Sequence, residues 1–175
     1  GKTINEFRTQ ANTDVPDMRR EFGADSPSAN YDINIDAKYI KGDQTESIVI
    51  SVYTYTGGAH GSSFYKTFTA SQSDAEISSR ILSLADVVKE DKQALFTSFV
   101  IKELNNWIPE GAETSGVFTE EVNNLKFNSF LNWSIDDKNL VIYFDQYEIG
   151  PGVLGAVAFP LSLGKIKNFL EEIYI

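Results

Sequence analysis

Apolar and polar side chains alternate along residues 31–39, and a period of two is that of a β-strand with one face in the core and one in water. The side chains expected to face the core are Tyr31, Ile33, Ile35, Ala37 and Tyr39. Residues 41–44 then read as a turn, and β-branched and aromatic residues predict further strands over 47–56 and 63–69. The first part of the chain is therefore predicted to build a sheet.

Three segments instead have the three-to-four-residue apolar spacing of helices. The first covers residues 3–22, where Pro16 predicts a kink or a break near residues 13–15. The second is expected to begin at an N-cap, Asp91, and the third at Ser162. The side chains expected to face inward are Leu95, Phe96, Phe99, Val100, Leu104 and Trp107 in the second helix, and Ile166, Phe169, Leu170 and Ile173 in the third.

Two more strands, over residues 129–135 and 140–147, are joined by turn residues and predict a hairpin. A short helix over 119–125 and a strand over 156–160 complete the pattern. Runs of strands between runs of helices are typical of the α+β class, here a mostly antiparallel sheet packed by an N-terminal, a central and a C-terminal helix.

The length of 175 residues and the hydrophobic content of 42% fit one globular domain. We expect residues 1–28 to form a helical segment of the same unit as a domain over 29–175. The chain begins at Gly1 and its one methionine is Met18, so we expect that residue 1 is not the natural start.

Composition excludes several classes of function. The chain has no cysteine, which removes thiol nucleophiles, disulfides and cysteine-ligated metals, and its one histidine excludes paired-histidine metal motifs. The net charge of −10 argues against nucleic acid and anionic lipid, and it favours a basic protein partner. No apolar run reaches the length of a membrane span, so this chain is not expected to insert into a membrane. We expect neither a cofactor nor a bound metal.

The most unusual local sequence is the glycine-rich turn over residues 55–61. Glycines permit positive φ and expose backbone N–H groups that can bind an anion or a carbonyl. Gly57 and Gly58 are expected at positive φ. The turn contains His60, which could act as a general base beside Ser62 or Ser63, or could simply hydrogen-bond the turn in place. We expect the second role, with the His60 ring bridging the turn to residues 147–152.

Two acidic patterns are candidates for catalytic or metal-binding sites. Asp145 and Glu148 lie three residues apart, as a pair of glycosidase carboxylates could at the end of a strand. The alternating oxygens of Asp32, Asn34 and Asp36 resemble the start of a calcium loop, but Ala37 stands where that loop needs glycine. The strand interpretation is therefore preferred there.

Two stretches go beyond such patterns. The first is the sequence TGGAHG over residues 56–61, followed by an aromatic strand and by ILSLADV over 81–87. The second is LVIYFDQYEIGPG over 140–152, followed by FPL over 159–161. In this order the chain resembles, over residues 30–170, the domain of unknown function at the C-terminal end of RsiV-type anti-sigma factors and of the peptidoglycan deacetylase PdaC.

The resemblance implies a non-catalytic, extracytoplasmic recognition or sensor domain of a bacterial envelope protein, tethered by a membrane anchor in the full-length protein. It implies as the partner either a basic protein such as lysozyme or a cell-wall glycan. The residues expected to form the binding site are Tyr55, Gly57, Gly58, His60, Gly61, Tyr147, Pro151 and Gly152. The alternatives are a glycan-active hydrolase that uses Asp145, Glu148 or His60, an accessory domain of a deacetylase, and a structural spacer.

Overall fold

The fold combines helices at both ends of the chain with two three-stranded sheets. A computed structural model describes residues 2–72 and 80–174. The helices are α1 (Lys2–Phe22), α2 (Gln93–Asn105), α3 (Thr119–Asn123) and α4 (Leu163–Ile166). The strands are β1 (Tyr31–Lys41), β2 (Thr45–Thr56), β3 (Ser62–Ser71), β4 (Asn132–Ile135), β5 (Asn139–Phe144) and β6 (Val157–Ser162). This arrangement confirms the predicted α+β class.

Both sheets are antiparallel, with the strand orders β1-β2-β3 and β4-β5-β6. In the second sheet the central strand β5 pairs Ile142 with Trp133 of β4 and with Phe159 of β6. The predicted hairpin between β4 and β5 is confirmed. Its turn is closed by Asp136, whose Oδ1 accepts the backbone N–H groups of Lys138 at 2.7 Å and Asn139 at 2.8 Å.

The chain divides into two compact units. The first comprises residues 1–36 and 52–63, and the second comprises residues 37–51 and 64–175. In the first unit, α1 continues through Pro16, so of the predicted kink or break the break is wrong; a proline ring removes only one N–H from a 21-residue helix. The Phe7 and Tyr31 rings lie 6.0 Å apart, and the Tyr31 hydroxyl donates to Asp14 at 3.0 Å, which ties β1 to this helix.

The second unit holds the main hydrophobic core. Its centre is β5, where Leu140, Ile142 and Phe144 are fully buried. From α2, the Phe96 ring lies 5.9–6.2 Å from the rings of Phe127, Phe130 and Phe169 in edge-to-face geometry, which suits the aromatic quadrupole. This core places the loop after β5 on a rigid support.

Side chains join β3 to β4 within the second unit. Thr67 N donates to Asn132 Oδ1 at 3.2 Å, and Trp133 N donates to Thr67 Oγ1 at 2.9 Å. Thr69 Oγ1 donates to the Trp133 carbonyl at 3.0 Å and lies 2.9 Å from Ser47 Oγ. β3 and β4 are edge strands of different sheets, and these side-chain bonds satisfy backbone groups of both strands without a regular ladder between them.

Two helix predictions are wrong in detail. Asp91 is not the N-cap, since it lies in a 3₁₀ turn, Glu90–Lys92, that precedes α2. Leu95 is 57% exposed, whereas Phe96, Val100 and Leu104 are fully buried and Phe99 packs partly buried against the core.

The predicted C-terminal helix is not continuous. After the single turn α4 the chain continues as a 3₁₀ turn, Lys167–Phe169, and Leu170 then bridges to Val88 in the extended conformation. That bridge fixes Ile166 and Leu170 in the core but leaves Ile173 64% exposed.

The predicted division of β1 into one core face and one wet face is also wrong over most of the strand. Tyr31 and Ile33 are half-buried, whereas every residue from 34 to 39 is exposed. Alternation sets which side chains share a face, but burial requires something packed on that face.

Candidate functional site

The glycine-rich turn between β2 and β3 lies wholly in the first unit. Gly57 has φ +81° and Gly58 has φ +100°, which confirms the expected left-handed backbone. A Cβ on Gly57 would lie 2.6 Å from the carbonyl oxygen of Ser28, so this position excludes any side chain. The Tyr55 hydroxyl donates to the Gly58 carbonyl at 2.8 Å and closes the turn.

His60 lies exposed at the end of this turn. Its Nδ1 lies 3.0 Å from the carbonyl oxygen of Gly61, and because a carbonyl only accepts, Nδ1 carries the proton and donates. A Cβ on Gly61 would lie 2.5 Å from the Thr54 carbonyl oxygen, so the chain passes close to β2 here. These contacts give His60 a role in the turn's own structure, and its bridging to residues 147–152 stays a prediction.

The second group of predicted binding residues lies in the other unit, on the loop over residues 145–152 after β5. Asp145 N donates to Glu148 Oε2 at 2.8 Å, and Glu148 N donates back to the Asp145 carbonyl at 3.1 Å. Asp145 Oδ1 accepts from Tyr65 N at 2.9 Å, and Gln146 Nε2 donates to the Gly152 carbonyl at 3.1 Å. The two carboxylates thus fix the shape of the loop.

This reciprocal pair holds Tyr147 in a rare conformation. Tyr147 has φ +72°, a region in which an L residue is strained by about 1–2 kcal/mol. Its ring lies directly against Gly152, where a Cβ would be 2.6 Å from the ring carbon Cζ, so glycine is required there. Pro151 begins the turn that positions Gly152, and the Tyr147 side chain remains 49% exposed.

Burial changes the acidity of the groups near this loop. Desolvation raises the pKa of Glu148, and the neighbouring Asp145 charge adds to that rise, while the backbone N–H of Asp145 and the charge of Lys66 oppose it. Desolvation likewise raises the pKa of Tyr65 and of Tyr143, whose rings lie 4.9 Å apart. The loop therefore combines an exposed aromatic ring with a carboxyl group that gains a proton more readily than usual.

A separate apolar groove of about 280 Å³ opens in the second unit. It runs between the edge of β3 and the segments before α2 and β4, and three exposed side chains border it: Phe68, Ile81 and Leu131. Sequence analysis missed this groove because its walls come from three segments distant in sequence.

The structure brings the predicted binding residues together in two groups. Tyr55, Gly57, Gly58, His60 and Gly61 share the turn of the first unit, and Tyr147, Pro151 and Gly152 share the loop of the second. Within residues 2–72 and 80–174, no three acidic or histidine side chains converge as metal ligands. No helix in those same ranges has the length and apolarity to cross a membrane.

The chain is similar in sequence to a known family and to a curated protein. Residues 85–164, from the turn before α2 to the start of α4, match the family described as protein of unknown function DUF3298. Over 145 residues the chain is 29% identical to peptidoglycan-N-acetylmuramic acid deacetylase PdaC of Bacillus subtilis (strain 168). That match covers 82% of this chain and 30% of PdaC, so the chain spans less than a third of that relative.

Two crystal structures share the fold. A DUF3298 protein from Bacteroides fragilis NCTC 9343 gives a TM-score of 0.60 at 19% identity and covers 98% of this chain and 66% of its own. A DUF3298 protein from Pseudomonas aeruginosa PAO1 gives 0.60 at 17% identity and covers 90% and 69%. Residues 85–164 therefore match the DUF3298 family, and over most of its length the chain is similar to a segment of PdaC.

Proposed function

We propose that this chain is a non-catalytic recognition domain of a bacterial envelope protein, and that the loop over residues 145–152 contacts a cell-wall saccharide. The observation that carries the proposal is Tyr147, held at φ +72° with its ring against Gly152 and half of its side chain in solvent. Backbone strain at a non-glycine residue costs free energy, and such strain concentrates at functional positions.

The chemistry of the loop suits a sugar. An aromatic ring offers an apolar face for the C–H groups of a pyranose, and carboxylate oxygens accept hydrogen bonds from hydroxyl groups. Tyr147 supplies the ring, and the carboxyl groups of Asp145 and Glu148 lie within the same loop. The relation to a segment of a peptidoglycan deacetylase supports a glycan of the cell wall as the ligand class.

The hydrogen bonds of the two carboxylates favour binding over catalysis. Asp145 and Glu148 each accept a backbone N–H, at 2.9 and 2.8 Å, so their oxygens stabilise the loop. The raised pKa of Glu148 is the observation that favours the rival hydrolase, because a general acid needs such a shift. An assay for released acetate and reducing ends would decide against a binding role if either product accumulated.

A basic protein such as lysozyme is a second candidate partner, and the net charge of −10 favours it. Under this proposal the domain acts outside the cytoplasm, with a membrane anchor elsewhere in the full-length protein. Binding to lysozyme at low and at physiological salt would test it, since added salt should weaken association.

The test of the saccharide proposal is sedimentation of the chain with insoluble peptidoglycan, together with NMR titration by soluble muropeptides. Tyr147→Ala should weaken binding about tenfold, as expected for one lost aromatic contact. The matched control is Phe22→Ala, which removes a ring 55% exposed at the end of α1. Absence of binding by the wild type, or equal binding by Tyr147→Ala, would overturn the proposal.

A further inference from the structure

We infer that the edge strand β1 pairs with β1 of a second copy of this chain, forming an antiparallel dimer about a two-fold axis at Ala37. The strand order β1-β2-β3 leaves one side of β1 without a strand neighbour among the described residues. All residues from 34 to 39 are exposed, so this part of β1 is a long open edge. This inference is independent of the proposed saccharide site.

In an antiparallel pair, alternate residues of a strand bond to its neighbour. Which residues of β1 bond to β2 therefore determines which backbone groups face the open edge. Gly42 N donates to the Thr45 carbonyl at 2.9 Å at the turn between β1 and β2. A ladder that continues from this bond without a bulge keeps the same hydrogen-bonding pattern along β1. Even-numbered residues of β1 therefore bond to β2, and odd-numbered residues point their N–H and C=O groups to the open edge.

That pattern allows an antiparallel copy to bond through Ile35, Ala37 and Tyr39. With the axis at Ala37, Ile35 lies opposite the partner's Tyr39, and both side chains are exposed in the single copy, at 43% and 57%. On the other face, Asp36 lies opposite the partner's Lys38, and the symmetry repeats this pair. The segment IDAKY is thus complementary to itself in both shape and charge.

Neighbouring registers are worse. Moving the axis to Asp36 sets two aspartates opposite each other, and moving it to Lys38 sets two lysines opposite each other, so like charges repel in both. An axis at Ile35 would set Asp32 opposite the partner's Lys38 without repulsion, but it would also pair Tyr39 with the partner's Tyr31. Tyr31 is already packed against Phe7 and hydrogen-bonded to Asp14. The charge pattern therefore favours an axis at Ala37 over axes at Asp36 and Lys38, and the contacts of Tyr31 count against the axis at Ile35.

The test is sedimentation velocity of the purified chain over a range of protein concentrations. We expect a monomer–dimer equilibrium that Lys38→Asp or Asp36→Lys weakens about tenfold, because each variant sets like charges opposite each other twice. The double exchange Asp36→Lys with Lys38→Asp should restore the dimer. Asp137→Lys, in the exposed turn after β4, is the control for charge alone.

A second variant tests the hydrogen bonds. Ala37→Pro removes an N–H that faces the open edge and not β2, so the monomer should fold while the dimer is lost. Far-ultraviolet circular dichroism would verify the fold. A chain that stays monomeric at every concentration, or a dimer that neither charge reversal weakens, or an exchange that fails to restore it, would overturn the inference.

Discussion

Thr67 and Asn132 hold two strand edges together by a side-chain substitute for a ladder hydrogen bond. Thr67 N donates to Asn132 Oδ1 at 3.2 Å, where a carbonyl of a neighbouring strand would ordinarily accept. The adjacent Trp133 N returns a bond to Thr67 Oγ1 at 2.9 Å. This exchange lets β3 and β4 lie side by side in the second unit while each remains the edge of its own sheet.

Removing the Asn132 acceptor should therefore destabilise the second unit. Asn132→Ala leaves the Thr67 N–H without its partner and should lower the free energy of unfolding by about 1–2 kcal/mol. Asn132→Asp keeps an acceptor oxygen and should cost less. Urea denaturation measures both, and Asn128→Ala, at an exposed position, is the control. Equal stability of Asn132→Ala and the control would refute this role.

The two glycines of the β2–β3 turn should respond unequally to alanine. Both have positive φ, so each substitution costs about 1 kcal/mol of backbone strain. Gly57→Ala should cost more, because its Cβ would lie 2.6 Å from the Ser28 carbonyl oxygen, whereas nothing lies within 4 Å of a Cβ on Gly58. Thermal unfolding of the two variants tests this order, and the reverse order would contradict the packing described for the turn.

Because the backbone at Tyr147 is strained, glycine at this position should give a more stable protein than alanine, which is the reverse of the usual order. Both substitutions remove the ring from Gly152, but only alanine keeps the cost of φ +72°. Tyr147→Gly should therefore be more stable than Tyr147→Ala by about 1 kcal/mol. Denaturant titration measures the difference. The same pair at Tyr53, within β2, should show the usual order with alanine ahead.

The raised pKa of Glu148 predicts the sign of a pH effect. Partial desolvation makes the folded chain hold this proton more tightly than the unfolded chain, so the contribution of Glu148 to stability is greatest at low pH. It is lost as the pH rises through the folded pKa. Relative to Glu148→Gln, the wild type should therefore lose stability as the pH rises above the ordinary carboxyl pKa of about 4.

Calorimetry of the wild type and Glu148→Gln across that range measures this contribution, and Glu113→Gln, in an exposed loop, controls for removal of charge alone. A wild type that gained stability relative to Glu148→Gln as the pH rose would show that burial does not dominate at this carboxyl group. Because the group is partly exposed, the direction of the change is the decisive result.

The local sequence pattern was sufficient to predict most of the helices and strands. The alternation over residues 31–39, the stripe through α1 and the turn residues between β4 and β5 each predicted an element that the structure contains. The positive φ of Gly57 and Gly58 followed from their placement between two strands. These features depend on neighbours within a few residues, so the sequence determined them by itself.

Tertiary structure decided which of these elements acquired a buried face and where the site residues came together. Ile35 and Tyr39 keep their alternation yet lie in solvent, and the last helix ends early because Leu170 bridges to Val88. The left-handed backbone of Tyr147 depends on the bonds between Asp145 and Glu148 and on the ring's fit against Gly152. Burial arises from contacts between distant segments, and the strain at Tyr147 arises from side-chain contacts that close one loop; periodicity along a segment encodes neither.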